Sequence, residues 1–165
     1  MRRPKRIEPG PGQLSVWDFP RPPALVQWHE RVVVTFAGEV VADTTEAWSV
    51  LETSHPPTYY LPPEAFADGA LRPAEGTTFC EWKGTARYLD VRAGDWVAPG
   101  AAWTYPDPTP DFAAIRDHVA LYPAAMDSCT VDGRPVQPQP GGFYGGWVTP
   151  RVVGPFKGEP GTAGW

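Results

Sequence analysis

The chain has 165 residues, 42% of them hydrophobic, and a formal net charge of −5. That length fits one domain able to bury a core without disulfide or metal staples. The acidic balance removes the electrostatic footprint of binding nucleic acid by phosphate neutralisation. No apolar run approaches the roughly 18 residues of a membrane span.

Twenty-two Pro and 17 Gly stand beside eight Trp, six Tyr and seven Phe. Pro and Gly at that level resist regular packing, whereas many rings imply a buried interior. The two are compatible in a mainly β domain of short strands and Pro/Gly turns, with long helices excluded. The first residues, Met1-Arg2-Arg3-Pro4-Lys5-Arg6, form a basic run that suits either an anionic partner or a frayed, solvated end. No export signal follows it. A cytoplasmic setting with Cys80 and Cys129 as free thiols is therefore expected.

Residues 1–27 read as an extended arm, anchored by Trp17 and Phe19 between prolines and packed on a β core spanning 28–124. Three hairpins follow. "RVVVTFAGEVVAD" turns at Ala37-Gly38, "RYLDVRAGDWVAP" at Ala93-Gly94 and "CTVDGRPVQP" at Asp132-Gly133. The last is the strongest signal, because a tight hairpin wants positive φ at both central residues. Between them, Trp48–Glu52, Thr58–Leu61, Thr77–Trp82, Ala101–Tyr105 and His118–Tyr122 have strand patterning. "LPPEAFAD" suits one helical turn with Pro63 at its first position. "TPDFAAIRDH" suits two, with Thr109 as N-cap, Pro110 at N1 and Asp111 in the first turn. Residues 125–165 form a hairpin and then a closing strap that alternates rings with glycine pairs. The echo of "EWKG" in "PFKG" is too short to be a repeat. An antiparallel two-sheet sandwich, a partly open barrel or a β-tent-like domain accommodates these elements.

The order "GEVVADT…VLETSHPPTYYLPPE…TTFCEWKGTARYLDV…AAWTYPDPTP…HVALYP" closely resembles the bacterial family known as domain of unknown function 427 (DUF427). "GGFYGGW…VGPFKGEPGT" resembles its longer members. The family is also labelled nucleotidyltransferase-like. The resemblance implies a small β-rich fold and no established catalytic residues.

Nucleotidyl transfer asks for close carboxylates holding a divalent metal and a glycine-rich or basic phosphate cradle. Asp107 and Asp111 are four residues apart with prolines between them, and "GGFYGG" carries no lysine. The paired close spacings of a zinc site are missing around Cys80, Cys129, His29, His55 and His118. A protein without metal or other cofactor is expected, aromatic packing replacing the metal of zinc-bearing β tents.

Four residues are candidates for chemistry. Cys80 beside Lys83 is either a nucleophile or a small buried hydrophobe on a strand. In "FCEWKG" alternation sets Cys80 and Trp82 inward, with a bend at Gly84. Glu52 and His55 form either an acid–base pair or a corner that satisfies backbone groups. Tyr59 and Tyr60 point to opposite sheet faces, so one can reach the same cavity.

For ligand binding the candidates are Tyr60, Trp82, Lys83, Trp103, Tyr105, Tyr144 and Trp147, an aromatic lining with one charge for an anionic group. Three functions stay open: a small-molecule binding module, a transferase or hydrolase using Glu52, His55 and Lys83, and an interaction domain, a homodimer included.

Overall fold

The computed structural model describes residues 4–165. Met1, Arg2 and Arg3 of the basic start lie outside the described residues. Arg6 pairs with Asp18 at 2.7 Å.

In chain order the first strands are β1 (Leu14–Ser15), β2 (Ala24–Val26), β3 (Val32–Phe36), β4 (Glu39–Thr44), β5 (Trp48–Leu51) and β6 (Thr58–Tyr60). Then come the long strands β7 (Leu71–Cys80), β8 (Gly84–Ala93) and β9 (Trp96–Thr104), with β10 (Val119–Leu121) beside them. The remainder are β11 (Ser128–Val131), β12 (Arg134–Pro135), β13 (Gln137–Pro138), β14 (Trp147–Val148) and β15 (Val152–Val153).

Among the described residues, one four-stranded antiparallel sheet has the order β10-β9-β8-β7 and a second has β12-β11-β3-β4. A three-stranded antiparallel sheet, β2-β5-β6, joins the edge of the first through Leu61 and Val119. These two residues exchange N–H···O bonds of 2.9 and 2.8 Å. The protein is mainly β, with several antiparallel sheets and no closed barrel. Of the described residues, no helix is long and apolar enough to cross a membrane.

The hairpin at Ala37-Gly38 has φ of 50° and 78°, and that at Asp132-Gly133 has 50° and 78°. Both match the positive φ that a two-residue hairpin turn demands. At the third hairpin Ala93 pairs with Trp96, so its central residues are Gly94-Asp95 and Ala93 ends the strand. Glycine takes the first central position there, at φ 56°. The two helical stretches are short 3₁₀ segments, Pro63–Ala65 and Pro110–Ile115. Thr109 does precede the second, but its hydroxyl donates to the Trp82 carbonyl at 2.6 Å rather than capping its own helix.

Period-two alternation sends neighbouring residues to opposite faces of the joined sheets. Val119 and Leu121 enter the core between the two four-stranded sheets, whereas Ala120 faces away. Likewise Ala102 and Tyr59 enter that core, while Trp103 and Tyr60 turn to a second, aromatic cluster. The arm packs Val16 and Phe19 against Val152 in a third cluster, and β1 runs parallel to β15.

Candidate functional site

The aromatic face of the joined sheets opens into a cleft of about 400 Å³. Tyr60, Trp103 and Tyr105 form its floor, and Lys83 stands on one flank. Trp103 donates its indole N–H to the Tyr60 hydroxyl at 3.3 Å. Burial pushes the phenols of Tyr60 and Tyr105 well above the ordinary tyrosine range, so both present neutral O–H groups.

Lys83 is placed by the turn between β7 and β8. Cys80 pairs with Gly84, leaving Glu81, Trp82 and Lys83 as the turn. The turn leans on the Asp107–Thr109 corner, where the Thr109 N–H donates to the Lys83 carbonyl at 3.1 Å. Gly84 has φ 108°, and a Cβ there would lie 3.3 Å from the Asp107 carbonyl oxygen. A residue with a side chain would be strained at that φ and would crowd the corner. The docked turn carries the Lys83 ammonium to 5.7 Å from the centre of the Tyr105 ring.

The opposite wall comes from the C-terminal strap, and Gln139 organises it. This side chain is almost wholly buried. Its Oε1 accepts from the Gly146 N–H at 3.1 Å, and its Nε2 donates to the Lys157 carbonyl at 2.9 Å. Two backbone groups therefore fix which end of the amide is which. The second Nε2 hydrogen is left for His55 Nδ1, 2.9 Å away. Because Nδ1 must then accept, the imidazole proton sits on Nε2, which faces Glu52 Oε2 at 3.6 Å.

Burial lowers the His55 pKa to about 4, with the charges of Lys157 and Arg21 acting the same way and Glu52 opposing them. His55 is accordingly neutral at pH 7. Its ring also meets Tyr144 edge-on at 4.8 Å, and the Lys157 ammonium lies 5.4 Å from the Tyr144 ring centre. Glycine lets the strap approach: a side chain at Gly145 would collide with the Trp103 ring, and one at Gly146 with Pro56 and Gln139.

Of the residues singled out from the sequence, Glu52, His55, Tyr60, Cys80, Lys83, Trp103, Tyr105 and Tyr144 all line this one cleft. Trp147 does not. It is fully buried in the core between the sheets, stacked near Tyr59 at 4.9 Å, with its N–H on the Leu121 carbonyl at 3.2 Å. Its position on β14 turns it inward to the dry side. Trp82 lies in the turn rather than on the strand; it packs beneath the aromatic cluster without forming part of the lining. Both cysteines are free. Burial moves the Cys129 thiol up to about 12, and Cys129 belongs to the core, away from the cleft.

A family model described as domain of unknown function (DUF427) matches residues 24–132. The chain belongs to this family. No curated protein matches it. The DUF427 span contributes the floor and the Lys83 flank of the cleft, whereas Gln139, Tyr144 and Lys157 lie beyond the matched residues. Asp107 and Asp111, the acids weighed for a metal, do not line the cleft. Among the described residues no group of three His, Cys, Asp or Glu side chains is placed to hold a metal ion.

Reading the sequence alone misses Gln139, Lys157, Tyr88 and Tyr122, all of which border the cleft. For Lys157 a faint signal existed, since the "EWKG" and "PFKG" echoes each deliver a lysine to the same cavity. Nothing local marks Gln139; its role arises from partners 7, 18 and 84 residues away.

Proposed function

We propose that this protein is a binding module for a small organic anion with a flat or apolar body. The supporting observation is the convergence of Tyr60, Trp103, Tyr105 and Tyr144 with Lys83 and Lys157 around one cleft of about 400 Å³. Apolar walls with a few oriented polar groups suit a ligand of roughly drug size or smaller. With His55 neutral, the charged lining groups are Lys83, Lys157 and Glu52, so the cleft favours a negative guest.

The geometry of His55 favours binding over acid–base chemistry. Nδ1 is occupied by the Gln139 amide and Nε2 faces Glu52, so a substrate would have to displace one of these to reach a ring nitrogen. In this reading Glu52 and His55 hold the corner to which the strap is tied.

The test is a thermal-shift screen against small carboxylates and phosphates, followed by calorimetry. A ligand that binds only the native state raises its melting temperature. Loss of the shift in Lys83→Ala, with a reduced but measurable shift in His55→Ala, supports the binding reading. Turnover that His55→Ala abolishes while affinity persists replaces it with the enzyme reading. A mass that rises with concentration in the absence of any ligand response replaces it with self-association, for which Phe79 and Phe143, each 77% exposed, are the exposed rings at the cleft mouth.

A further inference from the structure

A second hollow of about 340 Å³ lies beside the cleft, lined by Pro99, Ala101, Pro123, Ala124 and Pro138 among others. Its described lining carries no charged side chain. The two hollows share Tyr122, Gln139 and Tyr144. What divides them is the ridge of the strap at Phe143 and Tyr144. That ridge is held to the sheet by the Tyr122 hydroxyl, which donates to the Phe143 carbonyl over 3.5 Å. Tyr144 is further held by His55 and Lys157, and Gly145 lies on Trp103. A ligand joining the two hollows therefore crosses the ridge at Tyr122 and Phe143, where the hydrogen bond is long and weak.

The rings also form a track. From Lys83 it passes over Tyr105, whose ring centre is 6.2 Å from that of Tyr60. Tyr60 is hydrogen-bonded to Trp103, and the Trp103 ring lies 4.7 Å from Tyr122, which borders the second hollow. One end of the track is cationic and the other opens on prolines and alanines. A compact anion would use only the first end. The whole length matches a molecule with charge at one end and hydrocarbon at the other, because apolar chain gains by leaving water along the second half.

We propose that the ligand is a single-chain anionic amphiphile, its head in the cleft with Lys83 as counter-charge and its tail across Tyr122 into the proline-lined groove. This rests on the reading of the cleft as an anion site and specifies what that site accepts.

Calorimetry with monomeric n-alkyl carboxylates from butyrate to dodecanoate tests it, benzoate serving as a tail-less control. Affinity is expected to climb about fourfold per added methylene once the chain reaches the groove, with one ligand per protein. Ala124→Trp, at an exposed groove position, should return dodecanoate to the affinity of butyrate while leaving benzoate unchanged. Retained benzoate binding also certifies that the variant is folded, and Ala125→Trp provides a second block. Lys83→Met should weaken every carboxylate by a common factor. If benzoate binds but the chain-length ladder is flat, or both tryptophan variants leave it intact, the groove assignment is overturned and the anion cleft stands. If neither short nor long carboxylates bind, both readings fall.

Discussion

The two faces of the β10-β9-β8-β7 sheet make opposite uses of apolar residues. On the inner face Val91, Ala102 and Leu121, with Trp147 of β14 packed among them, close against Val32, Val34 and Val41 of the other four-stranded sheet. On the outer face Tyr60, Trp103 and Tyr105 are also buried, packed with Phe112 and Ile115, but their cluster borders the cleft and the glycine-rich strap. Aliphatic side chains interdigitate and leave no room. Rings with hydroxyl or N–H groups need a partner at that end, which Trp147 finds on the Leu121 carbonyl and Trp103 on the Tyr60 hydroxyl. On the outer face that polar pair borders a cleft. The difference shows how one sheet can be a stability element on one side and a recognition surface on the other.

The sharpest contrast is expected from removing one indole on each face. Trp147→Ala should lower stability by about 3–5 kcal/mol, since it opens a cavity in a closed core and orphans the Leu121 carbonyl. Trp103→Ala should cost less, about 2 kcal/mol, because water can enter from the cleft. Urea unfolding of the pair decides the matter; equal losses would mean that the outer face is as solid as the inner one.

A pH effect comes next. His55 titrates near 6.5 when unfolded and at about 4 when folded. The unfolded chain therefore takes up the proton first, and stability must fall as pH drops from 6.5 towards 4, being fully present above that window. The span is on the order of 3 kcal/mol. His55→Gln should flatten the profile of melting temperature over that range, and an unchanged profile would show that the strap is not anchored through His55.

A smaller loss, about 1–3 kcal/mol, is expected for Gly145→Val, which drives a side chain into Trp103 and lifts the strap. Ligand affinity should drop at least tenfold with it. Smallest in stability is Lys83→Met, within about 0.5 kcal/mol because it is a turn residue at the cleft rim. Its carboxylate affinity should nonetheless fall tenfold or more by calorimetry. A variant that lost stability but kept affinity would reverse the roles assigned to the two faces.

Much of this contrast is legible in short windows of sequence. Tyr59 and Tyr60 part to opposite faces, and Trp103 and Tyr105 share one, because a strand reverses side at every residue. The turns at Ala37-Gly38 and Asp132-Gly133 declare themselves by glycine at a left-handed position. The slip at Ala93-Gly94 is of the same kind, since a lone glycine fits either central position until the Ala93–Trp96 pairing is known. Trp147, Gln139 and Lys157 are different. Their surroundings carry glycine and proline without clear periodicity, so no pattern says which way a side chain faces.

By itself, then, the sequence determined the mainly β character, the hairpins and which rings share a strand face, because each follows from steric rules acting over a few residues. Only the tertiary structure decided that the Lys83 turn docks on Thr109, that Gln139 ties the strap to His55, and that Trp147 turns into the dry core. Those choices depend on hydrogen bonds and close packing between segments far apart in the chain, and no local window contains both partners.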